Sequence, residues 1–156
     1  MALKPDREEN QYNITYFMNE VAERGGVAVM NGTPSGAAMD AANNIVTYRA
    51  NPSGKVPIGI LLNDMVNVDL TRQKLNPDKN EVQKGGKVTI LRKGVVHTNM
   101  IGSGTPVAGD YAYVADSGLI STSTRALALD TGAQPIGRFL TAKDTEGYAK
   151  VEINLP

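Results

Sequence analysis

No cysteine occurs in the 156 residues, only one histidine does, and 16 lysines and arginines are matched by 16 aspartates and glutamates. Each shortage excludes something. Without thiols there is neither a disulfide framework nor a thiolate metal site, so added stability has to come from packing or from oligomerisation; the redox compartment stays open. A formal net charge of zero argues against a nucleic-acid binder, which needs a basic surface to displace counterions from phosphates. No apolar run approaches a membrane span, and the opening Met1-Ala2-Leu3-Lys4-Pro5-Asp6-Arg7 lacks the apolar core of a signal peptide. The expectation is a soluble chain made in a cytoplasm, with one main domain and an appendage.

What is present is β-forming residues punctuated by turns, organised around Gly86 to Ser121. In Lys87 to Lys93, Val88, Ile90 and Arg92 point one way while Thr89, Leu91 and Lys93 point the other, so both faces are partly apolar. Gly94 interrupts and Val95-Val96-His97 resumes, which predicts a bend or bulge at the glycine. A Gly109-Asp110 turn precedes the aromatic strand Tyr111 to Val114, and Asp116-Ser117-Gly118 turns the chain into Leu119-Ile120-Ser121.

Earlier in the chain, Val27 to Met30 reads as a strand entering an Asn31-Gly32 turn. Residues 33–44 read as loop, Ile45 to Arg49 as a strand ended by the Asn51-Pro52-Ser53-Gly54 turn. Pro57 to Leu62 and Met65 to Val68 read as two strands around an Asn63-Asp64 turn. Residues 69–85, polar and rich in lysine, form a long excursion between strands, either mobile or in contact with a partner. Leu127 and Leu129 are further candidate strand positions. Pro135 to Thr141 and Tyr148 to Leu155 form a hairpin around Asp144-Thr145-Glu146-Gly147, the second strand buried on one face and wet on the other. The fold class expected is mainly β, a small antiparallel β-barrel or β-tulip-like sandwich with an extended N-terminal arm. Residues 1–24 are expected as the arm and 25–156 as the β-rich domain. Within the arm, periodicity leaves Tyr12 to Arg24 open between helix and strand.

Chemistry is sparse. His97 has no carboxylate or nucleophile beside it in the sequence, and nothing resembles a nucleophile elbow. The glycine-rich run Gly102 to Gly109 contains Pro106 and is followed by the strand Tyr111 to Val114 instead of the helix N-terminus that a phosphate loop needs. Asn76, Asp78 and Asn80 alternate like the first calcium-loop ligands, but the sixth position is Glu81 and the twelfth Lys87. No catalytic, cofactor or metal residue is assigned, and the protein is expected not to be an enzyme. Two features each have a structural and a partner-binding reading. The apolar cluster Tyr12, Tyr16, Phe17 and Met18 follows a polar arm that supplies reach, so it is either a first strand or helix covering the core or an anchor on a neighbouring subunit or another surface. Arg72, Lys74 and Lys79, with Lys84 and Lys87, make the excursion loosely basic, by default a solvated face and alternatively a contact for an acidic protein surface.

The segments Tyr16 to Val27, Gly59 to Leu62 and Gly86 to Val96, with Val107 to Val114 and Ile136 to Leu140, resemble the capsid decoration (cement) proteins of tailed bacteriophages. These are glycine and valine patterns of a small β-rich protein, spread from about Tyr12 to the C-terminus. The resemblance implies a β-barrel-like or β-tulip-like domain on the outer surface of the expanded head shell. It implies the major capsid protein as partner and a homotrimer holding neighbouring capsomers together, with no nucleic acid, membrane or cofactor. Synthesis would be in the bacterial host cytoplasm. On this reading, deleting Met1 to Met18 should abolish attachment and leave the β-domain folded. The alternative is a head-surface carbohydrate-binding or adhesion module using Tyr48, Tyr111, Tyr113 and Tyr148.

Overall fold

The computed structural model describes residues 10–30, 45–48, 55–64, 80–102, 104–122 and 135–156. Its strands are β1 (Asn10–Met18), β2 (Ala22–Glu23), β3 (Val27–Met30), β4 (Ile45–Thr47), β5 (Pro57–Asp64), β6 (Glu81–Val82), β7 (Lys87–Thr98), β8 (Tyr111–Val114), β9 (Ile120–Ser121), β10 (Gly137–Phe139) and β11 (Ala149–Asn154). The only helical element among the described residues is a 3-10 turn at Asp116–Gly118. Nine strands form one sheet in the order β1-β4-β3-β5-β7-β11-β10-β8-β9, and β1 returns to pair with β7. That return closes β1, β4, β3, β5 and β7 into a five-stranded barrel, leaving β11, β10, β8 and β9 as an outer extension. β2 and β6 make a separate two-stranded ribbon. The protein is mainly β, as expected. Pairing between the named strands is antiparallel except for β1 with β4, where Phe17 lies opposite Ile45 and Met18 opposite Val46.

The long strand β7 explains why the molecule has two cores. Val88 and Ile90 belong to one buried cluster with Met18, Ala28, Val46, Ile58 and Leu61. Leu91 and Val96 belong to the other, with Val27, Val29, Ile60, Phe139, Val151 and Ile153. Positions five apart point to opposite faces of a regular strand, so alternation must break between Leu91 and Val96. Gly94, at φ 146°, lies in that interval. The β1 pairing also slips here, from Leu91 opposite Asn13 to Gly94 opposite Asn10, so the predicted irregularity at the glycine is present. β5 repeats the device. Ile58 and Ile60 enter different cores on either side of Gly59, whose φ is 155°. Strands buried on both faces have to be nearly continuous in apolar residues, as Ile60-Leu61-Leu62 is.

Tyr12 to Met18 is strand, which settles the choice that periodicity left open. β1 lies along β7, with Ile14 opposite Ile90 and Tyr16 opposite Val88. Residues 10–24 of the expected arm thus carry β1 and β2, both paired within the barrel and its ribbon. A deletion through Met18 would remove a barrel strand, so the expectation that such a truncation stays folded is corrected. The Asn63-Asp64 turn is a second correction. Both residues continue β5, opposite Thr89 and Val88, because β7 extends far enough to pair with them. The hairpin at Asp144 is as read. The Asp144 carboxylate accepts the N–H groups of Glu146 at 2.9 Å and Tyr148 at 2.8 Å, and Gly147 takes φ 85°. The loop at 33–44, the turns at 31–32 and 51–54, the strand at 65–68, the calcium-like spacing at 76–80 save for Asn80, and Leu127 and Leu129 lie outside the described residues.

Candidate functional site

The residues singled out as an anchor are placed differently from one another. Met18 has no exposure and sits in the barrel core, its N–H donating to Gly86 at 3.0 Å and its carbonyl accepting from Gly85 at 2.7 Å. It holds β1 in place and has no surface left for a partner, which corrects its assignment to an interface. Tyr16 is half-buried against the same core, and Phe17 is half-buried opposite Lys87. Tyr12 lies on β1 opposite Lys93. Arg72, Lys74 and Lys79 lie outside the described residues; Lys84 and Lys87 are exposed.

Among the four tyrosines considered for sugar binding, two are closed off. The Tyr48 phenol donates to the Glu23 carbonyl at 2.7 Å and accepts the Gly26 N–H at 3.0 Å. Its ring lies against Gly26 and Gly118, where an added Cβ would come within 2.9 and 2.7 Å of it. Burial pushes this phenol far above its ordinary value, and the nearby Glu23 and Glu20 charges add to the effect, against the Gly26 hydrogen bond. It therefore stays neutral and keeps its proton to donate. The Glu20 carboxylate accepts from the Thr47 hydroxyl and the Tyr48 N–H, fixing the same short segment from the other side. Tyr148 is buried, with His97 packed edge-on against it at 5.6 Å between ring centroids.

The other two tyrosines face outward together. Along β8, Ala112 and Val114 point into the core, so Tyr111 and Tyr113 point away from it. Their rings lie 6.5 Å apart and tilted by 55°. Arg138 is opposite Tyr111 on β10; its Nη2 donates to the Tyr111 phenol oxygen at 2.9 Å, and its guanidinium carbon lies 4.6 Å from the ring centroid. The sequence named Tyr111 and Tyr113 only as candidates for sugar binding, and Arg138 beside them was not singled out. The available signal was alternation, because a buried Phe139 requires Arg138 and Leu140 to face outward beside Tyr111.

Such an arrangement combines exposed aromatic surface with a positioned cation. A protein-family model described as "Structural cement protein (E217 gp24/Pam3 gp6)" matches residues 6–154. The chain belongs to that phage family. No curated protein matches it. Membership gives the protein a structural role, associated with the capsid of the virion, and makes capsid protein its partner class. The match spans β1 through β11, so the barrel and the outer sheet are both parts of the family's structural unit.

Proposed function

We propose that the protein binds the outer surface of the expanded phage capsid and stabilises contacts between neighbouring capsomers, acting as a homotrimer. The family match over residues 6–154 is the observation that carries this reading. The fold is suited to the task. A closed barrel backed by a second core presents its surface without rearrangement, so little ordering cost is charged against binding. Many identical copies on a closed shell then gain strength through avidity, and each contact can be modest. Tyr12, Tyr16 and Phe17 on β1 and the basic stretch Arg72, Lys74 and Lys79 remain the sequence-derived contacts to a neighbouring subunit or the shell. In that scheme residues 1–24 contribute β1 and β2 to the barrel and its ribbon, and residues 25–156 supply the rest of the decorating body.

Co-sedimentation of the purified chain with heads lacking it tests the proposal. Saturable binding to expanded heads, weak or absent on unexpanded ones, is the expected result. Failure to bind either form would refute it.

A further inference from the structure

We propose that the outer face of β8 and β10, centred on Tyr111 and Arg138, docks on the shell, and that its occupant is a carboxylate-bearing, partly apolar surface of the capsid protein. The proposal rests on the cement reading and adds the face and the chemistry of its partner. Large apolar side chains exposed among the described residues are Val21, Met30, Val56, Val107, Tyr111 and Leu140. Three of them are gathered here. Val107 is 60% exposed, Tyr111 47% and Leu140 42%. The backbone holds them together: Gly109 N–H donates to the Phe139 carbonyl at 2.7 Å and Phe139 N–H to the Asp110 carbonyl at 2.8 Å. The turn at Val107 is thereby tied to the end of β10.

Arg138 supplies the polar half of the recognition. The Tyr111 ring and hydroxyl hold its guanidinium in place, so less freedom is lost when it meets a partner. A guanidinium has five N–H donors, and the bond to Tyr111 uses one; a fork remains for a carboxylate. Tyrosine and arginine are also the side chains that most often dominate protein interfaces. Among the described residues, the acidic groups nearby are Asp110 and Glu152. Asp110 Oδ2 is engaged by the Val107 N–H at 2.9 Å. Glu152 is exposed and lies opposite Arg138 on β11, yet Arg138 bonds to Tyr111. An incoming carboxylate is therefore drawn by Arg138 and opposed by Glu152. A second copy packed face to face would use both residues, with Arg138 of each copy meeting Glu152 of the other. Glu152 thus separates the two occupants.

The test is a co-sedimentation titration of the full-length chain on expanded heads lacking it, with folding of each variant checked by thermal melting. Arg138→Ala and Tyr111→Ala should each weaken binding by about thirtyfold or more. Tyr111→Phe, which removes only the hydroxyl holding Arg138, should weaken it by about threefold to tenfold. Glu152→Gln should tighten binding by about threefold, and Val21→Ser, at an exposed site outside the face, should leave it unchanged. Wild-type binding that survives Arg138→Ala and Tyr111→Ala overturns the assignment of the face while leaving the cement reading intact. Weakening by Glu152→Gln overturns the carboxylate-bearing occupant and favours a second copy. Absence of wild-type binding overturns both this proposal and the reading beneath it.

Discussion

Replacing Tyr48 by phenylalanine removes one oxygen and leaves the ring seated against Gly26 and Gly118, so it isolates the two hydrogen bonds of the phenol. Their losses differ. The Glu23 carbonyl belongs to an exposed residue and can turn to water, whereas Gly26 is buried and its N–H is left without a partner. A stranded buried donor costs about 1–3 kcal/mol and a re-solvated carbonyl about 0.5–1 kcal/mol, so the substitution should cost about 1.5–4 kcal/mol. For a chain of this size each kcal/mol moves the melting temperature by about 2–4 °C, so calorimetry should find a fall of about 3–16 °C. The same variant has an alkaline signature. Because burial raises the native phenol above its ordinary value, the unfolded chain loses this proton first as pH rises past about 10. The unfolded state then binds fewer protons than the native one, and stability falls with pH by up to about 1.4 kcal/mol per unit. The neutral-pH contribution is complete below about pH 10, and Tyr48→Phe should decline less steeply above it. An unchanged melting temperature at pH 7, or parallel alkaline limbs for the two proteins, would refute the role assigned to this hydroxyl.

Two glycine replacements separate lack of space from backbone strain. A Cβ at Gly137 would lie 1.7 Å from the Glu152 carbonyl oxygen, while one at Gly109 meets nothing within 4 Å but must adopt φ 98°. Gly137→Ala should therefore cost more than about 4 kcal/mol, or prevent folding, and Gly109→Ala about 1–2 kcal/mol, both read by urea unfolding. Deleting residues 1–9 spares β1 and should leave the unfolding transition in place, whereas deletion of residues 1–18 should abolish it; circular dichroism with urea distinguishes the two. Glu20→Gln keeps an acceptor for Thr47 and Tyr48 but removes its charge, and should lower stability by about 0.5–1.5 kcal/mol in the same assay.

The β class and most described strands were legible because turn residues separate them: Asp144 to Gly147 marks the final hairpin, and Gly109-Asp110 the start of β8. Gly94 announced its irregularity by breaking a β-branched run. Closure of the barrel was not legible. It depends on β1 reaching β7 across some 70 residues of sequence, and no local pattern records a partner so distant. Tyr16, Phe17 and Met18 looked alike as apolar neighbours of a polar arm, yet their register on β1 sends Met18 fully inward and leaves Tyr16 and Phe17 half-covered. Asn63 and Asp64 have the composition of a turn, and pairing with Thr89 and Val88 overrides it. The Tyr111 and Arg138 face was hidden for a related reason. Residues on separate strands become neighbours only once the β8 and β10 register is known.

The two cores place different demands on the chain. Barrel closure uses β1, β4, β3, β5 and β7, so substitutions at Met18, Val46 or Ile90 act on the ring itself. The second core joins the outer faces of β3, β5 and β7 to β8, β10 and β11 through Phe139, Val151 and Ile153. Tyr111 and Arg138 stand on the far side of that second layer, so their geometry depends on how Phe139 beneath them packs. Phe139→Leu should therefore weaken shell binding more than its loss of stability explains, because a shifted β10 moves Arg138 relative to Tyr111. A conservative change in the barrel core of equal cost, Ile90→Val at about 1 kcal/mol, should leave binding intact. Titration of both variants on expanded heads at matched folded concentration decides the matter. Equal affinities would mean that the outer layer does not position the face, and the link from the second core to the docking surface would be wrong.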